Sequence, residues 1–196
     1  INILCCLRIM RLKIKALMVI QSTALLIGKY DIMYYLGLDC STKAIHGVLL
    51  DEEENIVEQF KWGSSASNYE ERFYEILEGF EQKMSKIDIG ELLVAVEAAI
   101  YIQNPKTTVA LAAVVAGVKY ICYRNGYVCM PVDNKVWKRH VLQAGKADKA
   151  FIKRFAMEKW ADIESKEQDY CDAACVALYR KLEDKDELIV LHERKN

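Results

Sequence analysis

Four carboxylates concentrate the chemistry on offer in this sequence: Asp39, Glu97, Asp169 and Asp172. Asp39 closes the apolar run that starts at Tyr34, and Glu97 closes Leu92–Val96. Asp169 and Asp172 lie three residues apart, a spacing that puts both on one face of a helix. Singly, each acid has an ordinary use: Asp39 can cap a turn, and acids are common in the first turn of any helix. Glu97 is harder to place on the surface, because an acid after Leu-Leu-Val-Ala-Val sits at or near the core. Gathered together, such groups repel one another and are expensive to desolvate. A divalent cation offsets that cost, and an oxygen-only donor set favours Mg²⁺ or Mn²⁺. Two such ions about 3.5–4 Å apart can activate water and stabilise a leaving oxygen in phosphodiester cleavage. Other chemistries find no support. His46, His140 and His192 are scattered without zinc spacing, and no G-x-S-x-G, P-loop or G-x-G-x-x-G occurs.

The elements that must bring these acids together follow from the apolar pattern. Tyr34–Asp39, His46–Leu50 and Ile56–Trp62 read as three short strands joined by tight turns, an antiparallel meander. A helix over Tyr69–Ser85 carries Phe73, Ile76, Leu77, Phe80 and Met84 at helical spacing. Leu92–Val96 reads as a buried central strand and Thr107–Cys122 as a helix apolar nearly all round. A strand over Tyr127–Val132 follows, then helices over Asn134–Leu142 and Asp148–Trp160. Ser165-x-x-Gln168 has capping-box form and opens a last helix to about Leu182. The order βββαβαβα plus helices is that of an α/β domain with a mixed five-stranded sheet. Two adjacent central strands and a helix crossing them would then hold the four acids. The wide apolar face of Thr107–Cys122 calls for a second layer, partly the last helix and partly another subunit.

The chain of 196 residues has 53% apolar and 28% charged residues, which excludes a disordered, collagen-like or multi-pass membrane protein. Its net charge of −1 hides an asymmetry. Residues 51–97 hold 13 acids and four bases, whereas residues 133–160 hold eight bases and three acids. The bases are Lys135, Lys138, Arg139, Lys146, Lys149, Lys153, Arg154 and Lys159, a candidate phosphate-binding face or else a solvated helix surface. The seven cysteines form no C-x-x-C pair and read as reduced residues of a cytoplasmic protein without a membrane partner. Residues 1–32 contain a basic flank and an apolar run, Ala16–Gly28, too short to span a bilayer comfortably. They read as an N-terminal extension, with a real helix as the alternative. The functional domain is expected over 33–183 and a charged tail over 184–196.

LGLD (36–39), VAVE (94–97), VWKRHVLQAGKADK (136–149) and DYCDAACVAL (169–178) stand in an order and spacing that resembles the RuvC-type Holliday junction resolvases. The resemblance implies the RNase H-like (retroviral integrase) fold over residues 34 to about 182. It also implies metal-dependent nicking of opposed strands in four-way DNA junctions by a homodimer. On that likeness Asp39, Glu97, Asp169 and Asp172 hold two divalent ions, Mg²⁺ with Mn²⁺ able to substitute. Lys138 and Lys149 fall where the family keeps two lysines near the scissile phosphate. The helix Thr107–Cys122 is the expected dimer interface, and Tyr101 the aromatic nearest the place where the family wedges open the junction. Asn104 and Lys106 either touch backbone phosphate or form the loop before that helix, and Lys135, Arg139, Lys146 and Lys153 extend the DNA face.

The sequence also departs from the family. Asp39-Cys40-Ser41-Thr42-Lys43 stands where D-P-G is usual, and Tyr101 is one position late. These departures indicate a divergent relative, with a phage-type member and other branched DNA substrates left open. Two rival readings remain. One is a non-catalytic branched-DNA-binding relative, against which the retention of four acids counts. The other is an actin-like, ATP-binding sugar kinase, whose opening segment YLGLDCSTKAIHGVLLDEEENIV resembles; a second ATPase half and a glycine-rich adenosine motif are missing after residue 62.

Overall fold

A computed structural model of the chain describes residues 32–99, 104–164 and 167–193. The expected extension (1–32, save Ile32), Tyr101 and the Ser165 of the capping box lie outside the described residues. Strands β1 (Met33–Cys40), β2 (Ala44–Leu50) and β3 (Ile56–Gly63) form the meander, followed by helix α1 (Tyr69–Met84). Then come β4 (Glu91–Glu97), α2 (Pro105–Arg124), β5 (Cys129–Val132), α3 (Asn134–Leu142), α4 (Lys149–Lys159) and α5 (Gln168–Glu193). The sheet order is β3-β2-β1-β4-β5. The meander is antiparallel, while β1–β4 and β4–β5 are parallel.

Strand alternation divides the core in two. Leu36, Leu38, Val94 and Val96 face α1 and α2, whereas Tyr35 and Ala95 face α3, α4 and α5. Helix α5 lies across β1, β2 and β4. It comes close because Gly37 has no side chain: a Cβ there would lie 2.0 Å from the Ala173 carbonyl and 2.2 Å from the Ala177 nitrogen. Ala173, Ala174 and Ala177, all fully buried, complete this close contact. The last helix therefore does not cover α2. That layer is supplied by α1 and by the opposite face of the sheet, correcting the sequence-based expectation. Among the described residues, α2 is long and apolar enough to cross a membrane; here Val114, Val115, Val118, Ile121 and Cys122 are buried against the sheet and α1.

Four helices start on polar caps. The side chains of Asn68, Asn104, Asp133 and Asp148 accept backbone N–H groups of α1, α2, α3 and α4. Strand β5 is shorter than expected, beginning at Cys129, and α2 is longer at both ends. Helix α5 continues to Glu193 instead of stopping near Leu182, so most of the expected tail is helical. Its charged residues break the apolar pattern, but Glu183, Lys185, Glu187 and Glu193 are good helix formers and no Gly or Pro interrupts the run. Asp184 is tied back to the sheet by the Tyr35 hydroxyl at 3.1 Å. The described cysteines, Cys40, Cys122, Cys129, Cys171 and Cys175, are all free thiols.

Candidate metal centre and its basic flank

Asp39 sits at the carboxyl end of β1, in line with Gly37, and therefore faces α5. Glu97 ends the neighbouring parallel strand β4, in line with Ala95, and faces the same way. The close seating of α5 on Gly37 lowers its first turns onto these strand ends. Carboxylate oxygens of Asp39, Asp169 and Asp172 consequently lie within 4.8 Å of one another, all half-buried. Glu97 is held just outside this group, its Oε1 accepting from Asn134 Nδ2 at 2.8 Å and its Oε2 from Trp137 Nε1 at 3.0 Å. Trp137 is fully buried and fixes α3 beside the site.

The charges respond to this crowding. Burial, then the negative charges of Glu97, Asp172 and Asp169, push the Asp39 carboxyl well above the usual carboxylate range, with Lys149 opposing. Burial also pushes Asp172 up to about 6. Glu97 adds to that rise, while a 3.2 Å hydrogen bond from Gln168 and the charges of Lys138 and Lys149 oppose it. A cluster of oxygen donors that repel one another suits a small divalent cation, which replaces the proton as counter-charge. The residues present fit such an ion.

The basic stretch borders this cluster. Lys138, half-buried on α3 with its ammonium 5.5 Å from the Trp137 ring centre, and Lys149, the exposed first residue of α4, both act on Asp172. Lys135, Arg139 and Lys146 are exposed on α3 and the loop after it, and Lys153 is half-buried one turn into α4. That loop turns through Gln143 in the left-handed region (φ 53°) and folds Gly145 back on α3, where an added Cβ would lie 3.4 Å from the Lys135 carbonyl oxygen. Asn104 and Lys106 are not drawn into the cluster: the Lys106 backbone N–H donates to Asn104 Oδ1 at 3.0 Å, capping α2. Lys106 borders an apolar groove with Tyr69, Pro105 and Val109.

Five residues near the cluster were not singled out from the sequence: His46, Lys61, Asn134, Trp137 and Glu167. His46 is buried on β2 directly opposite Asp39 in the antiparallel register. Its Nε2 is 2.8 Å from Glu167 Oε2, which also receives Lys61 Nζ at 2.5 Å. Its Nδ1 faces Asp169 Oδ2 at 3.5 Å. The only sequence signal was a polar residue inside a strand whose every other position is apolar or glycine.

No protein-family model matches the sequence, and no curated protein matches it. Solved structures do. The chain is similar to Thermus thermophilus RuvC in complex with a Holliday junction substrate, with a TM-score of 0.62 and 13% identity. The match covers 76% of this chain and 91% of that one. A second Thermus thermophilus RuvC structure matches with a TM-score of 0.59 and 14% identity, over 76% and 92% of the two chains. Identity this low speaks for the fold. Together with the mixed five-stranded sheet and its flanking helices, it shows that the chain has an α/β RNase H-like fold.

Proposed function

We propose that this protein is a metal-dependent endodeoxyribonuclease that nicks opposed strands of four-way DNA junctions. The observation that carries the reading is the convergence of Asp39, Asp169 and Asp172 within 4.8 Å, bordered by Lys138 and Lys149. The architectural likeness to a resolvase seen with its junction supports the same reading.

Asp39, Asp169, Asp172 and Glu97 would hold two divalent cations, Mg²⁺ or Mn²⁺. Such ions, when bound, supply an activated water and charge stabilisation for the departing 3′-oxygen. The protein's own part is placement. Asn134 and Trp137 fix both Glu97 oxygens while leaving each a free lone pair. Lys138 and Lys149 bind the scissile phosphate and balance its growing negative charge. Lys135, Arg139, Lys146 and Lys153 carry the flanking strand along α3 and α4, with Asn104 and Lys106 as further contacts at the start of α2 and Tyr101 as the aromatic proposed to enter the junction. The products are 5′-phosphate and 3′-hydroxyl ends. A two-fold arrangement through the exposed side of α2, where Val109, Tyr120 and Tyr123 stand free in the single chain, would give two sites for two opposed nicks. The working place is the cytoplasm, in recombination and repair or in phage DNA processing.

The test is cleavage of labelled four-way junctions, forks and linear duplex by wild type, Lys138→Ala and Lys149→Ala. Expected is preferential cutting of the junction, reduced roughly 10²-fold in either variant with melting temperature unchanged. Preferential cutting of forks would keep the chemistry and replace the substrate. Tight junction binding without cutting would instead identify the non-catalytic relative.

A further inference from the structure

His46 takes no part in the four-carboxylate scheme, yet it is 2% exposed and aimed at that cluster. Its two nitrogens have different surroundings. Glu167 Oε2 receives the Lys61 ammonium at 2.5 Å beside the His46 ring, an ion pair in which the carboxylate is the acceptor. An ionised carboxylate only accepts, so Nε2 is the donor in the 2.8 Å contact. In the neutral ring the lone pair then lies on Nδ1, which faces Asp169 Oδ2 at 3.5 Å. Two lone-pair donors face to face repel unless a cation lies between them or the ring takes a second proton. The separation suits a shared cation, since adjacent donors on one small octahedral ion are roughly 3 Å apart. Position adds to this: His46 is the cross-strand neighbour of Asp39, while Asp169 stands in the first turn of α5. A ring whose far nitrogen is tied to a carboxylate is the usual form of a metal-binding histidine, because that bond fixes tautomer and orientation.

We propose that His46 Nδ1 is a nitrogen ligand of the cation centre, shared with Asp169 and presented by Glu167 and Lys61. The inference rests on the metal-dependent reading above and deepens it. A nitrogen donor favours Mn²⁺ over Mg²⁺, which prefers oxygen. The centre would thus be selective among ions that an all-carboxylate site treats more evenly.

The experiment is Mn²⁺ and Mg²⁺ binding to the full chain by calorimetry, with pulsed electron paramagnetic resonance of bound Mn²⁺. Wild type, His46→Gln, Glu167→Gln and Asp39→Asn are compared. The glutamine at 46 can still donate to Glu167 but offers no donor at the Nδ1 position. Expected in wild type is a ¹⁴N coupling to Mn²⁺ that changes to ¹⁵N when histidine alone is labelled, a readout needing no variant. His46→Gln should lose that coupling and bind Mn²⁺ at least tenfold more weakly, with a smaller change for Mg²⁺. Glu167→Gln should weaken Mn²⁺ in the same direction. Mn²⁺ bound through Asp39 without histidine coupling, and unaffected by His46→Gln, overturns the ligand role and leaves the metal centre standing; His46 would then be an imidazolium clamp between Glu167 and Asp169. No Mn²⁺ binding in wild type, or binding indifferent to Asp39→Asn, overturns both.

Discussion

Asp39 shows at the scale of one residue how function is set against stability. Its half-buried carboxyl stands among three like charges that Lys149 only partly offsets, and the cluster's cation or a proton relieves it. Asp39→Asn should therefore abolish metal-dependent cleavage and yet stabilise the metal-free protein by about 1 kcal/mol, roughly 2–4 °C in melting temperature. Thermal unfolding in EDTA measures this. Asp172, with Asp39, makes the site sensitive to pH. The folded Asp172 carboxyl titrates near 6, above its ordinary 3.8, so between those values the folded protein holds a proton that the unfolded chain has released. In the metal-free protein this contribution is present at low pH and is lost as pH rises through about 6. Protons and cation compete for the same oxygens. Mn²⁺ affinity should thus be clearly weaker at about pH 5 than at about pH 7.5, as titration in EDTA-stripped samples would reveal.

At the scale of elements, the site depends on how closely α5 rides on β1. Gly37→Val inserts a branched side chain where even a Cβ would lie 2.0 Å from the Ala173 carbonyl. It should cost about 3 kcal/mol or more and weaken metal binding in whatever folds, measurable by denaturant melts and Mn²⁺ titration. A second tether joins the β2–β3 turn to α4 and α5. Lys181, 3% exposed, bonds Glu54 at 2.8 Å and the Glu52 carbonyl at 2.5 Å, while Lys159 bonds the same Glu54 at 2.5 Å. Burial alone would raise the Glu54 carboxyl, but the hydrogen bonds and charges of Lys159 and Lys181 outweigh it and hold it below the ordinary range. Its contribution is present above about pH 4.5 and lost as pH falls through the lowered value. Glu54→Gln should cost about 1–3 kcal/mol near neutral pH and flatten the acid limb of stability against pH. Much of this scale was legible beforehand. The apolar runs ending in Asp39 and Glu97 were readable as adjacent central strands, and the 169/172 spacing put both acids on one face of a helix crossing them. The face on which α2 packs was not legible, because a helix apolar nearly all round has no stripe to orient it. His46 and Glu167 meet across 121 residues, a pairing no local pattern encodes.

Across the whole molecule the sheet separates the charges. Five acids of the acidic stretch (Glu70, Glu71, Glu75, Glu78 and Glu81) fall on α1, packed on the sheet face opposite α5, whereas the basic helices α3 and α4 lie beside the carboxylates. A net charge of −1 therefore conceals a cation-rich border around an anion-rich centre, an arrangement suited to a phosphate chain brought up to a metal. The most direct test uses EDTA-stripped wild type and Asp39→Asn on a four-way junction labelled on each strand in turn. Nicks are mapped before and after Mn²⁺ or Mg²⁺ is restored. The account requires paired nicks at symmetric positions on two opposed strands, dependent on added metal and missing in Asp39→Asn. Cleavage that persists in EDTA or survives Asp39→Asn, or a junction left intact by metal-loaded wild type, would contradict it.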